Sequence, residues 1–453
     1  MADPKTEAAR PAGPGPEPLE AALEPGLSLS TRAMHADDYI NSHPAVAPPM
    51  HVSTTFRYNE DPDKLVFWGQ PDPNATHDTH TYSRETAPNT TRMEAILTSA
   101  VGAPCLTYSS GLSALHALLT HLNPRRIALE GGYSGSHGVV ALLSRLTGLE
   151  AVPSLSDESL SLLGPGDVVH VETPLNPTGE ARDLERLAAA ARRRGAYLTV
   201  DATFAPPPLL DPFLWGADAV VHSGTKYFGG HSDMLCGVLA VAPRWAVDNK
   251  MTAQGQGQGQ EEKRRGRLEA GGWVGQLRAD RLVLGSVMGS MEGWLGVRSL
   301  RTLELRVERQ SASAQRLVDW LVAASAAAAS KEGQGQSSPV AAGLVVQVRH
   351  ASQQPEAADA GSWLRRQMPR GFGPVFSVVL DSEDHARRLP SKLRLFHHAT
   401  SLGGVESLIE WRAMTDPLVD RRLLRVSVGV EAWEDLREDL LQGFRAIVDE
   451  DGG

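Results

Sequence analysis

Short apolar segments alternating with helix-length ones constrain this chain more than any other feature. Residues 105–109, 127–130, 167–172, 197–200 and 217–222 are compact and apolar or β-branched, the pattern of buried strands. After the first of them, Leu112, Leu115, Leu119 and Leu122 recur on one face of a helix opening at Gly111. Residues 181–195 predict a second helix, closed by Gly195 in the position where a left-handed cap is wanted. Helices between short buried strands imply an α/β fold with a mostly parallel sheet and right-handed crossovers. After Leu282 the texture changes to a long helical region over about 284–325. Strands at 344–348, 375–380 and 424–428 and a helix from Glu434 then predict a smaller α+β unit.

The 453 residues exceed what one small core accommodates, so two or three domains are expected. Charge, Gly or Pro interrupts every apolar run before it reaches the ~18 residues of a membrane-spanning helix, so no membrane association is expected. A net charge of −10 opposes a phosphate backbone, so nucleic acid is not expected as a partner. Two cysteines, Cys105 and Cys236, do not make a disulfide framework, which fits a reducing, cytoplasmic setting. Residues 1–30 are rich in Pro, Ala and Glu without apolar periodicity and read as a disordered tail that is neither a secretory nor a mitochondrial leader. Two Gln/Gly- and Ala-rich stretches, 254–266 and 324–339, read as surface insertions.

In an open parallel sheet, ligands sit beyond the carboxyl ends of the strands. Here the chemistry-bearing residues fall at those ends. Ser110-Gly111 follows the first strand and opens a helix, offering free backbone N–H groups to an anion. Asn176 follows 167–172, Asp201 ends 197–200, and Ser223-Gly224-Thr225-Lys226 follows 217–222. Singly, each has a plain explanation: a surface lysine, a turn aspartate, a helix cap. Together they are what pyridoxal 5'-phosphate requires: an amine for the Schiff base, an anion facing the pyridine nitrogen, and donors for the phosphate. Tyr133, just past another strand, supplies an aromatic face for the ring. Only seven of the 44 basic residues are lysines, which narrows the choice of amine to Lys226. His77 with His80 and the adjacent His397 and His398 lack further ligands at recognisable spacing, so no metal site is expected.

The run from His222 through Lys226 to Asp233 resembles the Schiff-base lysine motif of the pyridoxal-phosphate enzymes of cysteine and methionine metabolism, the cystathionine γ-synthases, γ-lyases and β-lyases. Glu172-Thr173-Pro174-Leu175-Asn176-Pro177, Val200-Asp201-Ala202-Thr203, Tyr82-Ser83-Arg84, Ser401-Leu402-Gly403-Gly404 and Leu424-Arg425-Val426-Ser427 are similar to further motifs of that family. The resemblance runs from about residue 33 to 448 and implies a fold-type-I, aspartate aminotransferase-like enzyme. It implies a 31–90 arm serving the neighbouring active site, a cofactor domain over 91–283 and a small domain over 284–453. Lys226 would hold the cofactor and move protons, with Tyr133 stacking on the ring and taking part in catalysis. Asp201 would face the pyridine nitrogen; Ser110, Gly111, Leu112, Ser223 and Thr225 would hold the phosphate, joined by Tyr82 and Arg84 of a second subunit. Asn176, Ser401 and Arg425 would receive the substrate, Arg425 matching its α-carboxylate with a planar fork.

The expected activity is therefore γ-replacement on an activated homoserine by a thiol, as in cystathionine γ-synthase. Alternatives are a cystathionine lyase, an O-acylhomoserine sulfhydrylase, and a pyridoxal-phosphate-binding scaffold without turnover. Small amino-acid and thiol substrates and a homodimer or homotetramer are implied. Two departures bear on specificity. Thr400 stands where members handling cystathionine commonly carry a Glu for the distal ammonium, and Glu410-Trp411-Arg412-Ala413 replaces a Glu-His-Pro-Ala run. Glu410 is the alternative carboxylate for that ammonium.

Overall fold

A computed structural model describes residues 26–40, 44–66, 79–246, 272–329 and 343–452. Its first sheet has seven strands: β1 (Cys105–Tyr108), β2 (Arg126–Ala128), β3 (Glu150–Val152), β4 (Val168–Glu172), β5 (Tyr197–Asp201), β6 (Ala219–Ser223) and β7 (Gly237–Val241). They lie in the order β1-β7-β6-β5-β4-β2-β3. All neighbours are parallel except β7, which runs antiparallel to β1 and to β6. The carboxyl ends of β1, β2, β4, β5 and β6 therefore share one edge.

The longer helices are α1 (Leu29–His35), α2 (Pro88–Val101), α3 (Gly111–Leu122), α4 (Ser134–Thr147), α5 (Leu184–Arg194), α6 (Trp273–Leu284), α7 (Ser290–Leu300), α8 (Leu303–Ala329) and α9 (Trp433–Asp451). Strand residues of alternating parity face opposite sides. Leu106, Tyr108, Ile127, Val221 and Leu239 pack beneath α3, α4 and α6. Val169, Val171, Leu198, Val200 and Val220 pack beneath α2, α5 and α7. Burial of both faces is what the unbroken apolar strand segments require.

The second sheet holds β8 (Val345–Arg349), β9 (Val375–Leu380), β10 (His397–His398), β11 (Leu408–Trp411) and β12 (Leu423–Ser427), in the order β10-β11-β12-β9-β8. Leu317, Val318 and Leu321 of α8 and Leu440, Phe444 and Ile447 of α9 cover it. The first half of α8 instead touches the first unit: buried Arg306 donates to the Tyr227 carbonyl at 2.9 Å. The long helical region of the sequence resolves into α6, α7 and α8. α8 continues six residues into the stretch read as an insertion, with Ala324 buried, because the alanines there sustain the helix. The rest of that stretch, all of 254–266 and residues 1–25 lie outside the described residues. α1 begins inside the segment read as a tail: Ser28 caps it by accepting from the Thr31 amide, and Leu29 and Ala33 bury. Asp37 then anchors this end to Arg92 of α2 at 3.1 Å and to Arg301 at 2.7 Å.

Among the described residues no helix is long and apolar enough to cross a membrane, and no three His, Cys, Asp or Glu side chains converge as metal ligands. His77 lies outside the described residues, His80 meets the Thr86 hydroxyl at 3.0 Å, and His397 and His398 are exposed on β10.

Candidate active site

A cavity of about 240 Å³ opens at the carboxyl edge of the first sheet, where the second unit closes over it. Ser110, Gly111, Leu112, Tyr133, Asn176, Asp201, Ser223, Thr225, Lys226, Thr400, Ser401 and Arg425, all singled out by sequence, line it. Tyr82 and Arg84 do not. They lie together outside it, the Arg84 guanidinium 5.2 Å from the Tyr82 ring centre.

One wall is an anion cradle. Ser110 caps α3 by accepting from the Ser113 amide at 3.1 Å, so the remaining first-turn amides point outward. Close packing fixes this turn against the neighbouring strands. A Cβ on Gly111 would sit 3.1 Å from the Ser223 side chain, and one on Gly237 would collide with the Ser110 carbonyl. Among the described residues the Ser223 hydroxyl makes no hydrogen bond, whereas that of Thr225 is tied to Cys236 at 3.0 Å.

The floor is acidic. Asp201 and Glu172 are register partners on adjacent strands. Asp201 Oδ1 accepts from the Thr203 amide at 2.9 Å and hydroxyl at 2.5 Å, and Thr203 Oγ1 accepts in turn from the Ser223 amide at 2.8 Å. Oδ2 makes no hydrogen bond among the described residues. Burial pushes the Asp201 carboxyl above its usual range. Glu172, which sequence reasoning treated only as part of a motif, accepts from the Tyr133 and Asn176 amides, both at 2.7 Å. Burial, and then the Asp201 charge, push it up to about 8. It joins the Tyr133 turn to the Asn176 loop; an acid ending a buried strand was the signal for it.

The roof carries the cations. Lys226 Nζ donates to Ser401 Oγ at 2.7 Å. Burial first, and then the Arg425 charge, lower the lysine to about 8. Ser401 has φ +83°, a conformation costly for a residue with a side chain, and this turn aims its hydroxyl at Lys226 and its carbonyl at Arg425. Buried Arg425 donates to that carbonyl at 2.8 Å and to Asn176 Oδ1 at 3.1 Å, and pairs with Glu410 Oε2 at 2.5 Å. Glu410 sits opposite Arg425 in the β11–β12 pairing and also accepts from Arg412 at 3.1 Å and Thr415 at 2.9 Å. Both of its oxygens are thus engaged, so as a carboxylate for a distal ammonium it is already committed. Sequence reasoning also missed Arg306. Its side chain holds the carbonyl after Lys226 and fills the space a Gly230 Cβ would take, a contact joining residues far apart in the chain.

These groups fit pyridoxal phosphate. An amine of lowered basicity, a carboxylate with one oxygen open, free first-turn amides and a half-exposed Tyr133 ring border one cavity.

Comparison with known proteins agrees. Residues 30–445 match the family described as Cys/Met metabolism PLP-dependent enzyme. A cystathionine γ-synthase of Escherichia coli is 30% identical over 439 residues, covering 92% of this chain and 97% of its own. A cystathionine β-lyase of Lactococcus lactis is 29% identical, with 92% and 99% coverage. The crystal structure of yeast cystathionine γ-lyase superposes with a TM-score of 0.73 at 27% identity, over 93% of this chain and 99% of that one. A lysine after β6, an aspartate ending β5 and an arginine on β12 thus meet in a chain that belongs, over nearly its whole length, to the pyridoxal-phosphate-dependent enzymes of cysteine and methionine metabolism.

Proposed function

We propose that this enzyme catalyses γ-replacement: a thiol displaces the leaving group of an activated homoserine while the amino group is retained. The observation that carries this reading is the roof of the cleft. Lys226, Ser401 and Arg425 form one hydrogen-bonded set able to hold an α-amino acid and work on its protons.

When bound, pyridoxal phosphate withdraws electrons from the substrate α-carbon. The chain's own residues do the rest. Arg425, its fork held by Asn176, the Ser401 carbonyl and Glu410, receives the α-carboxylate. Lys226 takes the α-proton and carries protons between the substrate carbons, with Ser401 Oγ holding its nitrogen on that side. Asp201, fixed through Oδ1 by Thr203, would keep positive charge at the ring nitrogen of the bound cofactor. Ser110, Gly111, Leu112, Ser223 and Thr225, which line the cavity, would hold the phosphate, and Tyr133 would cover the ring. Tyr82 and Arg84 would complete the phosphate site of a second subunit.

Thr400 favours replacement by a thiol without a distal ammonium. It lines the cleft as an uncharged hydroxyl, and Glu410 is occupied. A desolvated ammonium there would lack a counter-charge. The test is to incubate the purified protein with O-acetyl-, O-succinyl- and O-phosphohomoserine, with and without thiols, and identify products by mass. A thioether formed only with thiol present is expected. Ammonia and a keto acid released at the same rate with or without thiol would make the enzyme a lyase, and no product from any substrate would favour a scaffold.

A further inference from the structure

The cleft holds one guanidinium that the proposed mechanism does not use. Arg412 follows β11, lines the cavity and is buried, with 5% of its surface exposed. Its Nη1 donates to Glu410 Oε2 at 3.1 Å. Its Nε is buried with no hydrogen-bond partner, and Nη2 makes no hydrogen bond among the described residues. These two nitrogens form one edge of the guanidinium, the side-on fork whose parallel N–H donors match the two oxygens of a carboxylate. A buried charged donor left unpaired is strongly disfavoured, so a group that completes it recovers part of that cost.

Charge points to an anion as that group. Arg412 and Arg425 share a single carboxylate, Glu410, and bind the same oxygen of it. The other carboxylates lining the cavity, Glu172 and Asp201, lie on the floor at the ends of β4 and β5. A substrate α-carboxylate placed on Arg425 leaves this edge of Arg412 unpaired. Thr400, on the same cavity, offers a hydroxyl and no negative charge.

Resting on the reading of the cleft as an α-amino-acid site, we infer that Arg412 is a specificity residue that receives a second, distal carboxylate of the substrate through Nε and Nη2. The enzyme therefore selects amino acids whose side chain ends in an anion over those ending in an apolar group or an ammonium.

The test uses unreactive amino acids of equal length. The holoenzyme is titrated with L-2-aminoadipate, L-norleucine and L-lysine, and dissociation constants are read from the absorbance of the bound cofactor. Aminoadipate is expected to bind at least tenfold more tightly than norleucine, with lysine the weakest. In Arg412→Gln the ratio of aminoadipate to norleucine affinity should fall to near one, and in Arg412→Lys it should be partly retained. Equal affinities in the wild type, or a preference that survives Arg412→Gln, would overturn the assignment. If Arg412→Gln does not fold, the wild-type ranking decides, and lysine binding as tightly as aminoadipate refutes it. No spectral response to any of the three would overturn the amino-acid reading itself and this inference with it. Elimination in the product assay would overturn γ-replacement and leave the ranking intact.

Discussion

On the proposed function, Lys226 shows how one environment sets both the state and the task of a side chain. An ordinary lysine keeps only a trace of neutral amine at pH 7, but this one, lowered to about 8 by burial and by Arg425, keeps on the order of a tenth. The neutral form is the nucleophile, and it gains population as pH rises towards 8. Uptake of pyridoxal phosphate by the apoenzyme should accordingly quicken about tenfold per pH unit below 8 and level off above it, followed by the rise of the yellow absorbance. Lys226→Ala should show neither that absorbance nor turnover; a yellow, active variant would place the amine elsewhere. Arg425 obeys the complementary logic. Truncating one member of a buried, hydrogen-bonded charge pair costs about 2–5 kcal/mol. At ~1.4 kcal/mol per tenfold, Arg425→Ala should lower kcat/KM by roughly 30-fold or more. Unchanged steady-state kinetics would move the α-carboxylate away from β12.

At the level of elements, the β11–β12 pair is a device for holding charge. Its register sets Glu410 opposite Arg425, and the turn after β11 brings Arg412 to the same carboxylate oxygen. Glu410→Gln would leave two buried guanidinium groups facing each other without that anion. Breaking a buried pair in this way costs about 3–5 kcal/mol, so the urea midpoint of unfolding should fall markedly while cofactor retention at the first sheet persists. An unaltered midpoint would mean that the arginines find another counter-charge. This network also marks where sequence reading stops. Residues legible in the sequence, Ser110, Asp201, Ser223 and Lys226, stand at the ends of local strand-to-loop transitions, where a few neighbours define the context. Glu172, Glu410, Arg412 and Arg306 owe their roles to partners that only the tertiary fold supplies. Strand β7 was missed for a related reason: its run Gly237–Val241 is as apolar as its neighbours, but no helix separates it from β6, so the alternation that betrayed the others was absent. β3 and β10, three and two residues long, were too short to show a periodicity.

At the scale of the whole molecule, the proposal that two subunits share each active site can be tested directly. Val46, Val52, Tyr58 and Leu65, all on the segment leading to Tyr82-Ser83-Arg84, are exposed. Thr55 pairs with Tyr82 in an antiparallel bridge, so the same segment carries the Tyr82–Arg84 pair, and carries it outside its own cleft. Since Arg84 does not line its own cavity, we propose that it serves the phosphate site of a second subunit. Arg84→Ala and Lys226→Ala should then each be nearly inactive alone, the first for want of a phosphate contact and the second for want of the amine. Co-expressed with different affinity tags and purified through both, they form mixed dimers in which one of the two sites draws Arg84 and Lys226 from intact copies. That site should restore activity towards half of the wild-type value per dimer. Mixed dimers that stay inactive would show that Arg84 serves its own chain, reaching the cradle by a movement of the 79–86 segment instead of by exchange between subunits.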